Sequence, residues 1–141
     1  MAQRLIVDAS RCQGCLACLT LCSMTKEGVS APSRARLKVE LDPLGGSHRI
    51  TACRQCKKAQ CAEACPVDAI QLEPAGRYWT IDYNTCTGCR ECIEPCSFGA
   101  MLYDPIAGRV LKCDTCEGSP ACAEICPTGA LTWSDGTEGR R

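Results

Sequence analysis

Large aromatic side chains are scarce in this chain of 141 residues, which has one Phe, two Trp, three Tyr and a single His. That supply is too thin for a deep conventional core, because aromatics carry the largest buried areas. The apolar fraction of 45% is itself inflated by 16 cysteines, about 11% of the chain, and without them about 34% remains. No stretch approaches eighteen consecutive apolar residues, so no membrane span is expected. The opening MAQRLIVDAS lacks an apolar h-region and a small-residue cleavage site. Export is therefore not expected, and a cytoplasmic location with reduced thiols is. There is no phosphate-cradling GxGxxG and no nucleophile–base pair, so the chain is not expected to be an enzyme on its own. Sixteen Lys+Arg balance sixteen Asp+Glu without a basic stripe, which argues against nucleic acid as a partner.

What the chain does have is cysteine in four groups of four. CQGCLACLTLCS carries Cys12, Cys15, Cys18 and Cys22, and CRQCKKAQCAEACP carries Cys53, Cys56, Cys61 and Cys65. CTGCRECIEPCS carries Cys86, Cys89, Cys92 and Cys96, and CDTCEGSPACAEICP carries Cys113, Cys116, Cys122 and Cys126. The first and third follow C-x2-C-x2-C-x3-C, in which one loop wraps three thiolates around a 4Fe–4S cube while the fourth cysteine reaches a different cube. The second and fourth stretch only the middle step and keep a C-x3-C-P ending, where proline takes the chain out of the ligand turn. Zinc also uses paired C-x2-C ligands, but it accounts neither for the third cysteine nor for the fourth before proline. All sixteen cysteines are thus expected to bind iron, in four 4Fe–4S clusters. Each loaded site contributes about −2, so the loaded chain carries about −8.

The motifs form an internal repeat. IVDASRCQGCLACLTLCS at 6–23 aligns with TIDYNTCTGCRECIEPCS at 80–97, and CAEACPVDAI at 61–70 with CAEICPTGAL at 122–131. Between the second and third motifs, strands over Ala69–Leu72 and Tyr78–Tyr83 are expected to flank an EPAG turn at Glu73–Gly76. This resembles the central hairpin of a two-cluster bacterial ferredoxin. The fourth motif ends in the same exit strand, and the first begins with the same entry strand, as if a second such unit were cut at its hairpin. The termini should then lie side by side, with the two units nested. Nesting and fourth-cysteine exchange together predict the ligand sets. Cys12, Cys15 and Cys18 take Cys126; Cys113, Cys116 and Cys122 take Cys22. Cys53, Cys56 and Cys61 take Cys96; Cys86, Cys89 and Cys92 take Cys65.

Over roughly residues 4–133 the arrangement resembles the four-cluster ferredoxin-type electron-transfer subunits found beside molybdenum or tungsten enzymes. These include the beta subunits of the dimethyl sulfoxide reductase family and the small subunits of tungsten aldehyde oxidoreductases. Similar proteins partner hydrogenases and carbon monoxide dehydrogenase, and a free diffusible polyferredoxin is a further reading. The resemblance implies a non-catalytic relay between a tungsten- or molybdenum-pterin catalytic subunit and a second redox partner, such as a flavin- or NAD-reducing subunit. One departure is that Ser97, not proline, follows Cys96.

The expected fold is α+β, with two bacterial-ferredoxin-like modules in nested order and an inserted β-hairpin. Module A spans 1–23 plus 105–134, the hairpin 24–48, module B 49–104, and a tail 135–141. His48, beside the hairpin turn, is expected to be exposed, and Arg54, Lys57 and Lys58 to offset local cluster charge. Trp79 and Trp133 are expected to pack against the modules.

Overall fold

The computed structural model describes residues 4–134, so the tail expected at 135–141 lies outside the described residues. Eight short strands form four separate antiparallel pairs: β1 (Arg4–Val7) with β8 (Leu131–Ser134), β2 (Lys38–Glu40) with β3 (Arg49–Thr51), β4 (Ile70–Leu72) with β5 (Trp79–Ile81), and β6 (Leu102–Asp104) with β7 (Arg109–Leu111). Three helices accompany them: α1 (Ala17–Glu27), α2 (Gln60–Ala64) and α3 (Ala121–Ile125). The chain is thus a small mixed helix–strand fold.

The β4–β5 hairpin closes where Gly76 N–H bonds to Glu73 C=O, on the EPAG turn. Its strands are shorter than expected from the sequence, but Asp82 N–H donates to Ala69 C=O at 2.7 Å and extends the pairing one step. The β1–β8 pair, built from opposite ends of the described chain, pairs Leu5 with Trp133 and Val7 with Leu131. It too is extended by one bond, from Asp8 N–H to Ala130 C=O at 2.7 Å. Asp8 and Asp82 occupy equivalent places in the repeat. Each carboxylate accepts the N–H two residues on, from Ser10 and from Asn84, turning the chain toward its first cysteine.

Helix α1 runs well beyond Cys22. It ends at Gly28, whose φ of 73° is the left-handed C-cap that glycine takes without strain, with its N–H on Met24 C=O. Leu19, Cys22 and Ser23 form its buried face. The boundary drawn after residue 23 therefore falls inside α1. Those drawn at 48/49 and 104/105 likewise fall within the β2–β3 and β6–β7 hairpins. The β6–β7 hairpin was not anticipated, although LYD-PIAG-RVL shows strand, turn and strand.

His48 is half-buried rather than exposed, because its ring closes the β2–β3 turn. Nδ1 accepts Asp42 N–H at 3.1 Å, and Nε2 stands 3.0 Å from where a Cβ on Gly14 would be. Arg54 stacks over Phe98 at 4.5 Å, while Lys57 and Lys58 are exposed.

Two apolar cores result. One gathers Leu19, Ala35, Leu37, Ala52 and Leu131 with Cys22 and Cys122. The other gathers Ala59, Ile70, Ile81, Met101 and Val110 with Cys61 and Cys92. A buried ionic cluster ties α1 to β6–β7. Glu27, its side chain 7% exposed, accepts from Arg36 at 2.5 Å and Arg109 at 2.6 Å, and Arg34 reaches Asp104 at 2.7 Å. Burial alone would raise both carboxyls, but these guanidinium bonds outweigh it and hold Glu27 and Asp104 below the usual carboxylate range. Removing one member of such a buried pair costs about 3–5 kcal/mol, because the others are left uncompensated.

Candidate metal centres

The cysteine loops owe their shape to backbone in the left-handed region. The residue before each motif's second cysteine has positive φ: Gly14 at 76°, Gln55 at 48°, Gly88 at 75° and Thr115 at 58°. This conformation reverses the chain between two thiols so that both face inward. Glycine reaches it freely at two sites, whereas Gln55 and Thr115 are strained and need partners. Gln55 is locked by its side chain, which donates to Cys113 C=O at 2.5 Å and accepts Trp79 N–H at 2.7 Å. The Trp79 indole N–H in turn bonds to Cys56 C=O at 2.9 Å, so Trp79 packs against the second loop.

At the exits, Ala69 N–H points to Cys65 Sγ at 3.3 Å and Ala100 N–H to Cys96 Sγ at 3.4 Å. The turns after Cys65-Pro66 and Cys96-Ser97 thus match, and serine leaves the geometry intact. Cys22 instead sits on α1 and accepts Arg36 N–H at 3.2 Å.

The fold brings the thiols into four neighbourhoods. Cys18 has Cys15, Cys12 and Cys126 as its electrostatic neighbours. Cys22 lies with Cys116, and both Cys113 and Cys122 act on it or are acted on by it. Cys53, Cys56, Cys61 and Cys96 line one cavity of about 190 Å³. Cys65, Cys86, Cys89 and Cys92 line another. The thiols surround a space rather than meeting at a point: among the described residues no three His, Cys, Asp or Glu side chains close on a single ion. An all-thiol donor set, three from one cysteine motif and one from a distant part of the chain, fits a cubane cluster.

Neighbourhoods also lie within electrostatic reach of one another. Cys18 acts on Cys122, Cys53 on Cys113, and Cys61 on Cys92. These couplings order the four groups as Cys12/15/18/126, Cys22/113/116/122, Cys53/56/61/96 and Cys65/86/89/92. Cys15 and Cys89, which are exposed, belong to the two end groups.

Burial dominates the thiol chemistry. It pushes Cys18 and Cys92 up to about 11 and Cys122 up to about 12, and raises Cys22, Cys61 and Cys113 as well. These thiols hold their protons until metal arrives, and assembly releases them. At Cys126 burial also raises the thiol, but N–H groups of Leu131, Thr128 and Ala130 and the Thr128 hydroxyl outweigh it and lower the net value.

Residues 48–136 match the family model of the 4Fe–4S dicluster domain. The putative electron transport protein YsaA of Escherichia coli (strain K12) is 35% identical over 81% of this chain and 76% of its own length. A subunit of tetrathionate reductase from Archaeoglobus fulgidus is 36% identical over 77% of this chain but 52% of its own length. A component of the anaerobic dimethyl sulfoxide reductase of E. coli (strain K12) is 30% identical over 77% and 58%. The chain thus spans little more than half the length of those two reductase components. Among solved structures, a chain of the active site complex BamBC of benzoyl coenzyme A reductase superposes with a TM-score of 0.55 at 26% identity, covering 94% of this chain and 76% of that one. By the family match and by these relatives, the chain belongs to the 4Fe–4S dicluster domain family.

Proposed function

We propose that this chain is a non-catalytic electron-transfer subunit holding four 4Fe–4S clusters. It relays electrons between a tungsten- or molybdenum-pterin catalytic subunit and a second redox partner. The observation that carries the reading is the order of four thiol neighbourhoods whose exposed cysteines sit in the end groups. Each cubane cluster exchanges one electron when bound. The chain's part is to fix four such groups in order, screen the middle two, and leave an end open to each partner. A shuttle needs one or two clusters, so four in a row favour a bound relay.

The ligand sets of this reading are Cys12, Cys15, Cys18 with Cys126; Cys22 with Cys113, Cys116, Cys122; Cys53, Cys56, Cys61 with Cys96; and Cys65 with Cys86, Cys89, Cys92. Nested modules follow from the same reading. Its support is the equivalence of the β1–β8 and β4–β5 pairs, down to the Asp8–Ala130 and Asp82–Ala69 bonds, and the division of the core in two. Residues 24–48, which carry β2 and the turn of the β2–β3 hairpin, are then the insertion, and residues 1–23 plus 105–134 and 49–104 are the modules. The named relatives, two reductase components and a chain of the BamBC complex, support a place in a larger reductase assembly, and the motif resemblance proposes a pterin enzyme of the tungsten aldehyde oxidoreductase class as its partner.

Gentle anaerobic purification from the native source, with metal analysis and peptide identification of co-eluting chains, tests the partner. Tungsten or molybdenum in stoichiometric amount with a large second chain is the expected result. Nickel without either metal would transfer the chain to hydrogenase or carbon monoxide dehydrogenase, and a clean monomer would make it a free ferredoxin.

A further inference from the structure

Lys112 follows β7 directly and precedes Cys113. It is 6% exposed, yet among the described residues no carboxylate is paired with its ammonium in the way Asp114 is paired with Lys26 at 2.6 Å. Its Nζ donates instead to Cys53 Sγ at 2.8 Å. Cys53 and Cys113 belong to the two inner thiol groups, and Lys112, bonded to the first and next in sequence to the second, stands between them. The side chain therefore sits where an electron passing along the relay crosses from one half of the protein to the other.

A cluster's potential is set by net charge, hydrogen bonds to sulfur and exposure. A fixed cation bonded to one proposed ligand sulfur and close to the next group acts on the first two at once. It stabilises the reduced, more negative state of whichever inner cluster holds the electron. Lys26 also acts on Cys22, Cys113 and Cys116, but its charge is paired with Asp114 at 2.6 Å, whereas Lys112 donates directly to a thiol.

We propose that Lys112 is a positioning charge of the relay, selectively raising the reduction potentials of the two inner clusters. This rests on the four-cluster reading. Full-length protein, reconstituted anaerobically, is titrated redox-potentiometrically with EPR detection as wild type, Lys112→Gln, Lys112→Met and Lys112→Arg, with iron counted in each. Glutamine keeps an N–H donor without the charge, which separates charge from hydrogen bond. In both neutral variants the reduction equilibrium of the two inner clusters is expected to fall at least tenfold, about 59 mV for one electron. The outer two should stay in place, and arginine should restore the wild-type values. Unshifted potentials in Lys112→Gln or Lys112→Met at wild-type iron content, or an equal shift of all four clusters, would overturn the inference. Wild-type protein that carries no four-cluster signal would instead overturn the reading beneath it, so the two failures are distinct.

Discussion

Removing the iron is expected to unfold the chain. The four strand pairs are separate two-stranded sheets with strands of three or four residues, and such pairs have little stability of their own in water. Two of the three helices are only five residues long, far below the length at which helices persist alone. The two cores hold few large side chains, and each includes two of the cysteines proposed to hold clusters. Without metal those buried thiols are protonated and unligated, and the strained turns at Gln55 and Thr115 lose the ligation that holds them. Cluster binding is then folding free energy. Far-UV circular dichroism of chelated protein should show most of the secondary structure gone, with no cooperative melting. Adding iron and sulfide under reducing conditions should restore both. A cooperative thermal transition in metal-free protein would mean that the apolar cores suffice, contrary to this account.

Cys22→Ala is expected to damage a cluster whose other ligands lie far along the chain. Cys22 is 6% exposed on α1, turned toward Cys116, and it is a neighbour of Cys113 and Cys122. Helix α1 lies against α3, which carries Cys122. Alanine there opens the group of Cys113, Cys116 and Cys122 while leaving Cys12, Cys15 and Cys18 with Cys126. Iron should fall by about a quarter, one cube of four. Spectroscopy should show one EPR component lost and the others at their wild-type potentials. Tracing the lost component to the group of Cys12, Cys15 and Cys18 would show instead that the first motif is self-contained.

Much of the site was legible in the sequence because ligand spacing is local. The C-x2-C steps, the repeat of 6–23 in 80–97 and the C-P exits point to every thiol proposed as a ligand, and the EPAG turn located β4–β5. What was not legible depends on contacts between distant residues. Gln55 and Thr115 stand where the repeat places Gly14 and Gly88, and that substitution was the one available hint of a locked left-handed turn. No pattern marks Lys112 as a donor to Cys53, 59 residues earlier. The same holds for Glu27, whose arginine partners come from Arg34 and Arg36 on one side and Arg109 on the other. The module boundary at residue 23 marks the end of the cysteine spacing, which is local, whereas α1 continues to its Gly28 cap. His48 read as a turn residue, yet its ring is part of the turn's hydrogen bonding and abuts the first cysteine loop.

The central claim is four clusters on sixteen cysteines, and counting iron and acid-labile sulfide per chain tests it most directly. Anaerobically reconstituted protein should reach a plateau of about sixteen of each, four cubes of four. A plateau of about eight iron, or stoichiometric zinc in its place, would contradict it.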